Sequence, residues 1–252
     1  MSFIERHKPI LTIMAAIILL ALVGAAFLFL HDHEEEEDLT ECNKAVEQTL
    51  TSFSDALMDG NIKKAKKYCS ETGAQQLVLD SLDTEVYEKT LLEGLSVKKE
   101  DLPEDSRAYL DSLLDILKGK VVTETAFDIS KMEVQQKTED GYIVSIPMQL
   151  TGCGSLNAID FSSEISFANH SMINYAYGNQ ELLMNHNDVW GTAGVKSVLG
   201  QQAYSNLFST MCTKATAYEP VARNYELKLL VTKKDGDFSS AQIIAAEEVL
   251  SE

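Results

Sequence analysis

The side chains in this sequence that could do chemistry are four cysteines, two histidines in the folded part, and several carboxylates. Gly152-Cys153-Gly154 has the form of a thiol in a backbone nest. A thiolate is activated there only if a cation or a helix N-terminus stands beside it. The sequence names no such neighbour, and a glycine-flanked strand end explains the tripeptide more simply. His170 and His186 lie near Glu164, Glu181 and Asp188, the makings of a His–carboxylate base. A lone histidine on a helix is more often a surface or satisfied core residue than a base. His31-Asp32-His33-Glu34-Glu35-Glu36-Glu37-Asp38 would hold a divalent cation loosely, but a run of like charges imposes no fixed geometry and reads as a solvated spacer.

The cysteines, Cys42, Cys69, Cys153 and Cys212, form no C-x-x-C pair, and their spacings match no zinc framework. Two readings stay open. Either they are four separate buried thiols, or some pair, with Cys153–Cys212 a better geometric choice than Cys42–Cys69. There is no G-x-S-x-G, H-E-x-x-H, P-loop or G-x-G-x-x-G. No residue is therefore assigned a catalytic, cofactor-binding or metal-ligating role, no cofactor is expected, and the protein is not read as an enzyme. Asn169-His170-Ser171 matches a glycosylation sequon, a short tripeptide that recurs by chance. Trp190, beside Gly191, suits a pocket wall or a binding surface.

The element that must position all of this is Ile10–Leu30, 21 residues with no charge. As a helix it would span about 31 Å, the thickness of a bilayer's hydrocarbon core. Arg6 and Lys8 precede it and the acidic run follows it, so the N-terminus is expected in the cytoplasm and the rest outside. Val23 and Ala25, or Gly24 and Ala26, would also suit a signal-peptide cleavage site. Phe27-Leu28-Phe29-Leu30 extend the apolar run past that point and favour an uncleaved anchor. The expected organisation is a cytoplasmic tail at 1–9, an anchor at 10–30, an acidic spacer at 31–39 and an extracytoplasmic domain at 40–252. The net charge of −18 opposes binding to nucleic acid and to anionic head groups.

Within the domain the hydrophobic period sets the elements. Val46, Leu50, Phe53 and Leu57 predict a helix over 40–59 with Thr40 as N-cap, and Gly60-Asn61 should end it and cap the next. Lys63, Lys64, Lys66 and Lys67 read as a solvated face. Interrupted helix is expected over 74–95, with Leu77, Val78, Leu82, Val86 and Leu91 inward. A longer helix after Pro103 should bury Tyr109, Leu110, Leu113, Leu114 and Leu117 and end at Gly119. The period then falls to 2. A strand over 121–129 with a bulge near Ser130–Lys131, an Asp140-Gly141 turn and a strand from Tyr142 to Leu150 make one hairpin. Pro147 suggests an edge position. Residues 155–213 read as a helical insertion, with Val195, Val198, Leu199, Leu207, Phe208 and Met211 at helical spacing and Gly200 as a break. Strands over 223–234 and from Phe238 to Ala246, around Asp235-Gly236, make a second hairpin. The fold class is α+β: helices packed on a curved, four-stranded antiparallel sheet formed by the two hairpins.

The helix wording Phe53-Ser-Asp-Ala-Leu-Met-Asp-Gly-Asn-Ile-Lys-Lys-Ala, followed by antiparallel strands ending Leu-x-Leu-Leu-Val-Thr-Lys-Lys-Asp-Gly-Asp-Phe, resembles the nuclear transport factor 2-like (cystatin-like) superfamily. It looks in particular like the extracytoplasmic domains of small bacterial membrane proteins and lipoproteins. The resemblance covers about 40–152 and 222–247, and 155–213 departs from it. It implies a cone-like sheet with a pocket and no catalytic motif to carry over. The expected partners are the lipid bilayer through 10–30 and either a small apolar ligand in the cone or an envelope protein, the latter meeting the 155–213 insertion.

Overall fold

The computed structural model describes residues 39–95, 97–167, 192–234 and 237–250. The anchor expected at 10–30 and the acidic run after it lie outside these residues. Among the described residues no helix is long and apolar enough to cross a membrane.

Helix α1 (39–58) buries Cys42, Val46, Leu50, Phe53 and Leu57 along one stripe. Thr40 lies inside this helix rather than capping it. Gly60, at φ +62°, supplies the left-handed residue that ends the helix, as expected. Asn61 then caps α2 (Ile62–Ala65), its side chain accepting from the Lys64 N–H at 3.0 Å. The lysine face is solvated, Lys63 pairing with Glu85 and Lys66 with Asp80.

The interrupted stretch resolves into α3 (Glu71–Gln76), a 3-10 turn at Leu79–Leu82 and α4 (Thr84–Gly94). Leu77, Leu82 and Leu91 are buried, but Val78 is 48% and Val86 47% exposed. Val78 takes a left-handed φ of +53° between the two turns, which swings it off the inward stripe. Helix α5 (Glu104–Val121) runs one half-turn past Gly119 and buries Leu110, Leu113 and Leu117, while Tyr109 is 43% exposed.

Val121 thus ends a helix, and the strand begins at Val122. The expected single strand is two: β1 (Val122–Phe127) and β2 (Glu133–Thr138), separated by a 3-10 turn at Ile129–Lys131. Both pair antiparallel with β3 (Gly141–Gly152), β2 along its first half and β1 along its second. The resulting open sheet is five-stranded, with order β1-β3-β4-β5 and β2 beside β1 on β3. Pro147 is therefore not on an edge strand. It sits opposite the break between β2 and β1, where β3 has a partner on the β4 side only, so the break absorbs the proline that an intact ladder would exclude.

Strand β4 (Val221–Lys234) pairs with β3 from Gly141↔Thr232 to Gly152↔Val221 and so joins the two hairpins. Strand β5 (Asp237–Val249) pairs with β4. Lys234 lies opposite Asp237, leaving two residues for the second turn, which is outside the described residues. One face of the sheet, with Val144, Ile146, Met148, Leu227, Leu229, Val231 and Ile243, is buried under the helices. The other face carries Ser145, Pro147, Gln149, Glu226 and Lys228, with Ile143 and Leu230 half-buried among them.

The outer edge of β5 is covered. The Ser70 N–H donates to Ile243 O at 2.8 Å, and the Ala246 N–H donates to Gln76 Oε1 at 2.7 Å. Thr49 Oγ1 of α1 donates to Ala241 O at 3.3 Å. These bonds satisfy groups that an edge strand otherwise presents to solvent.

The insertion is helical at both described ends: a 3-10 turn at Leu156–Ala158, a short helix α6 (162–167), and the long α7 (Thr192–Ala217). Gly200 lies within α7 and does not break it. Helix α7 packs along α5. Ser106 and Ser205 share a hydrogen bond at 2.9 Å, and Lys120 Nζ donates to Thr216 O and Tyr218 O at 3.1 and 2.8 Å. The lysine ammonium thus satisfies carbonyls at the negative end of the α7 dipole.

Candidate functional site

Cys153 is where sequence and structure meet most closely. It follows β3, its N–H donates to Lys120 O at 2.8 Å, and its thiol lies 4.0 Å from Val121 O. Gly154 turns the chain at φ +67°, and the Arg223 guanidinium of β4 lies across it. Arg223 is the neighbouring cation that the sequence could not name. Even so, burial pushes the thiol pKa up. The N–H groups of Ser155 and Cys153 and the Arg223 charge pull the other way and do not overcome it. Cys153 is fully buried, and Arg223 turns instead to Glu248 at 3.6 Å. At neutral pH this is a protonated packing thiol.

The other cysteines are also thiols and not disulfides. Cys69 donates to Ala65 O at 3.8 Å, and burial pushes its pKa up to about 12. Cys212 lies 3.5 Å from Tyr109 O, in the first half of α5, about 18 Å along the helix from Val121, whose carbonyl Cys153 contacts. Each sulfur is held by a different carbonyl, so the Cys153–Cys212 bond does not form.

The space between helices and sheet is filled by Leu50, Phe53, Leu113, Leu117, Ile146, Phe208, Met211 and Leu227, all essentially inaccessible. Near it, Leu77, Leu79, Leu82, Val122 and Leu150 line a cavity of about 20 Å³. That is room for about one water, not a ligand.

Larger concavities flank α6 in the insertion. Between α4 and residues 157–165 lies a groove of about 300 Å³, whose walls include Tyr87, Leu91, Leu95, Ile159 and Phe161. Between α6 and α7 lies another of about 490 Å³, bounded by Glu164, Phe167, Ala203, Asn206, Leu207 and Thr210. Phe167 is 76% exposed at its rim. Glu164 bonds Lys214 Nζ at 3.1 Å and fixes α6 against α7. Asp160 caps α6, accepting from the Ser162 N–H at 2.9 Å.

The carboxylates with displaced pKa values are displaced downward. The Ser162 hydroxyl and N–H lower Asp160, and those of Ser130 lower Asp128. At Glu164 burial acts upward, but the Ser163 hydroxyl, its own N–H and Lys214 outweigh it. These carboxylates are charged caps and ion-pair members, unsuited to act as general acids near neutrality. His170, Glu181, His186, Asp188, Trp190 and the Asn169-His170-Ser171 sequon lie outside the described residues. Among the described residues no three His, Cys, Asp or Glu side chains are placed to hold a metal.

Sequence reasoning missed Phe167 and Tyr87. An aromatic closing the mostly polar stretch Ser162-Ser163-Glu164-Ile165-Ser166 was the available signal for Phe167. Tyr87 depends on a tertiary contact with 157–165 that local periodicity does not carry. No protein-family model, curated protein or solved structure matches the chain.

Proposed function

We propose that this protein is a single-pass, membrane-anchored domain of the bacterial cell envelope, of the nuclear transport factor 2-like kind, facing outward and acting as a binding module through its 155–213 insertion. The observation that carries the reading is the placement of free volume. The interior beneath the sheet is packed, while apolar grooves of about 300 and 490 Å³ lie on either side of α6. The exposed Phe167 ring is the kind of aromatic anchor that a protein interface buries. The occupant proposed is the apolar face of a partner helix, laid along α7 beside Phe167 and Ala203. The anchor at 10–30 would hold the insertion near envelope proteins, and the acidic domain would stand off the anionic membrane surface.

A second reading, a small apolar ligand, is favoured by the groove at Tyr87, whose buried walls Leu91, Leu95, Ile159 and Phe161 form a continuous apolar surface. The two readings separate on one experiment. The full chain is solubilised from host membranes in mild detergent and its mass measured under native conditions, alongside Phe167→Asp. A protein-sized excess that Phe167→Asp removes supports the partner reading. A small-molecule excess insensitive to that variant supports the ligand reading. A bare chain in both overturns the binding module.

A further inference from the structure

The face of the sheet turned away from the helices carries more carboxylates than ammonium groups on β1, β2, β4 and β5. On β4, Glu226 alternates outward from the buried Tyr225 and Leu227, and the register places it directly opposite Glu247 of β5. Two carboxylates across a strand pair repel one another. Among the described residues neither belongs to an ion pair, whereas the neighbouring Glu248 does, with Arg223. Glu124 and Glu133 share this face, on β1 and β2, by their pairing with Thr151 and Ser145. Against these stand Lys228, two residues from Glu226, and Lys131 in the turn between β1 and β2.

The face is also shaped. At the break between β2 and β1 that accommodates Pro147, bordered by Asp128 and Lys131 of the turn, lies a trough of about 450 Å³. Ala126, Pro147 and Val249 give it apolar surface, and Asp128, Lys131, Gln149 and Glu226 give it polar surface, with two carboxylates against one ammonium. Gln149 Nε2 donates to Asn224 Oδ1 at 3.0 Å and Asp128 accepts from the Ser130 N–H and hydroxyl, so among the described residues Glu226 is the trough carboxylate left as an acceptor.

We infer that this face of the sheet docks a basic segment of a partner protein, with an arginine or lysine side chain entering the trough against Glu226. The aliphatic stem would lie on Pro147 and Val249 and the cation would relieve the Glu226–Glu247 repulsion. A second copy of this chain is the wrong occupant, because it carries the same −18 and the same carboxylates. This surface is separate from the insertion grooves and stands or falls independently of them.

The test uses the full chain in detergent micelles and a fluorescein-labelled peptide of alternating arginine and threonine, with the glutamate-for-arginine peptide as control. Anisotropy is followed at low and high salt for wild type, for Glu226→Lys/Glu247→Lys, and for Glu47→Lys/Glu93→Lys, which makes the same change of net charge on α1 and α4. Thermal melts confirm that the variants fold. The expected result is binding of the arginine peptide alone, weakened at least about tenfold by Glu226→Lys/Glu247→Lys and less than about twofold by the control pair. Equal losses in both pairs would mean that net charge and not this face attracts the peptide. Absence of binding to wild type, or a dimer that only the Glu226/Glu247 variant dissolves, would equally overturn the inference.

Discussion

The Arg223 guanidinium lies across Gly154, so that a methyl group at Gly154 would fall 0.9 Å from an Arg223 nitrogen. The same glycine sits at φ +67°, where L-residues are strained. Gly154→Ala should therefore destabilise the domain by about 1–2 kcal/mol, most of it from the backbone, since the end of an arginine moves easily. Urea unfolding of wild type and variant measures this, and equal midpoints would contradict the geometry.

Core and surface positions on α1 and α4 should differ sharply. Phe53 is fully buried in α1, and Phe53→Ala should cost about 3–5 kcal/mol. Val86 has an apolar side chain but faces solvent, and Val86→Ala should change stability by less than about 0.5 kcal/mol. If thermal unfolding showed the two variants to be similar, the assignment of the inward face of α4 would be in error.

How far the sequence was readable follows from such positions. Stripes with one partner face, such as Val46-Leu50-Phe53-Leu57 and Tyr225-Leu227-Leu229-Val231, are visible in the periodicity because burial selects every member. Val86 and Tyr109 fit the same spacing yet are exposed, because only tertiary packing decides which part of an apolar stripe is covered. The missing N–H of Pro147 points to an edge strand, which the structure does not bear out. The break in the neighbouring strand that tolerates it depends on the Asp128-capped turn, which period-2 alternation does not encode. The cation near Cys153 was invisible for a similar reason, since Arg223 is brought there only by strand register, 70 residues downstream.

Thiol chemistry should follow burial. Cys212 is the most accessible of the four, whereas Cys69 and Cys153 are buried. A maleimide at neutral pH should label Cys212 first and reach Cys69 and Cys153 only on unfolding, as read by peptide mapping. Prompt labelling of Cys153 would instead reveal a reactive site at that nest.

The raised pKa of Cys69 sets an alkaline limit. The folded thiol holds its proton up to about pH 12, against an ordinary value of 9.0. Its contribution to stability is complete below pH 9 and is lost as pH rises from 9 through 12, because the unfolded chain releases the proton first. Between pH 9 and 11 wild type should lose more stability than Cys69→Ala does. Parallel losses in urea titrations would show that Cys69 is not the group responsible.

Helix α7 should depend on its lysine cap. Lys120 supplies two hydrogen bonds to the last carbonyls of the helix and the residue beyond it, and Lys120→Met should cost about 1 kcal/mol. Amide exchange near Thr216 should accelerate before that of α1. Unchanged exchange there would mean that α5 packing alone holds the end.

The most direct measurement of the central claim is site-specific photo-crosslinking in intact host cells, with a photoreactive side chain at Asn206 in the α6–α7 groove or at Glu47 on the exposed side of α1. A discrete protein adduct from Asn206, absent from Glu47 and abolished by Phe167→Asp, is the predicted result. Adducts of equal yield from both positions, or one from Asn206 that survives Phe167→Asp, would contradict an interaction surface on the insertion.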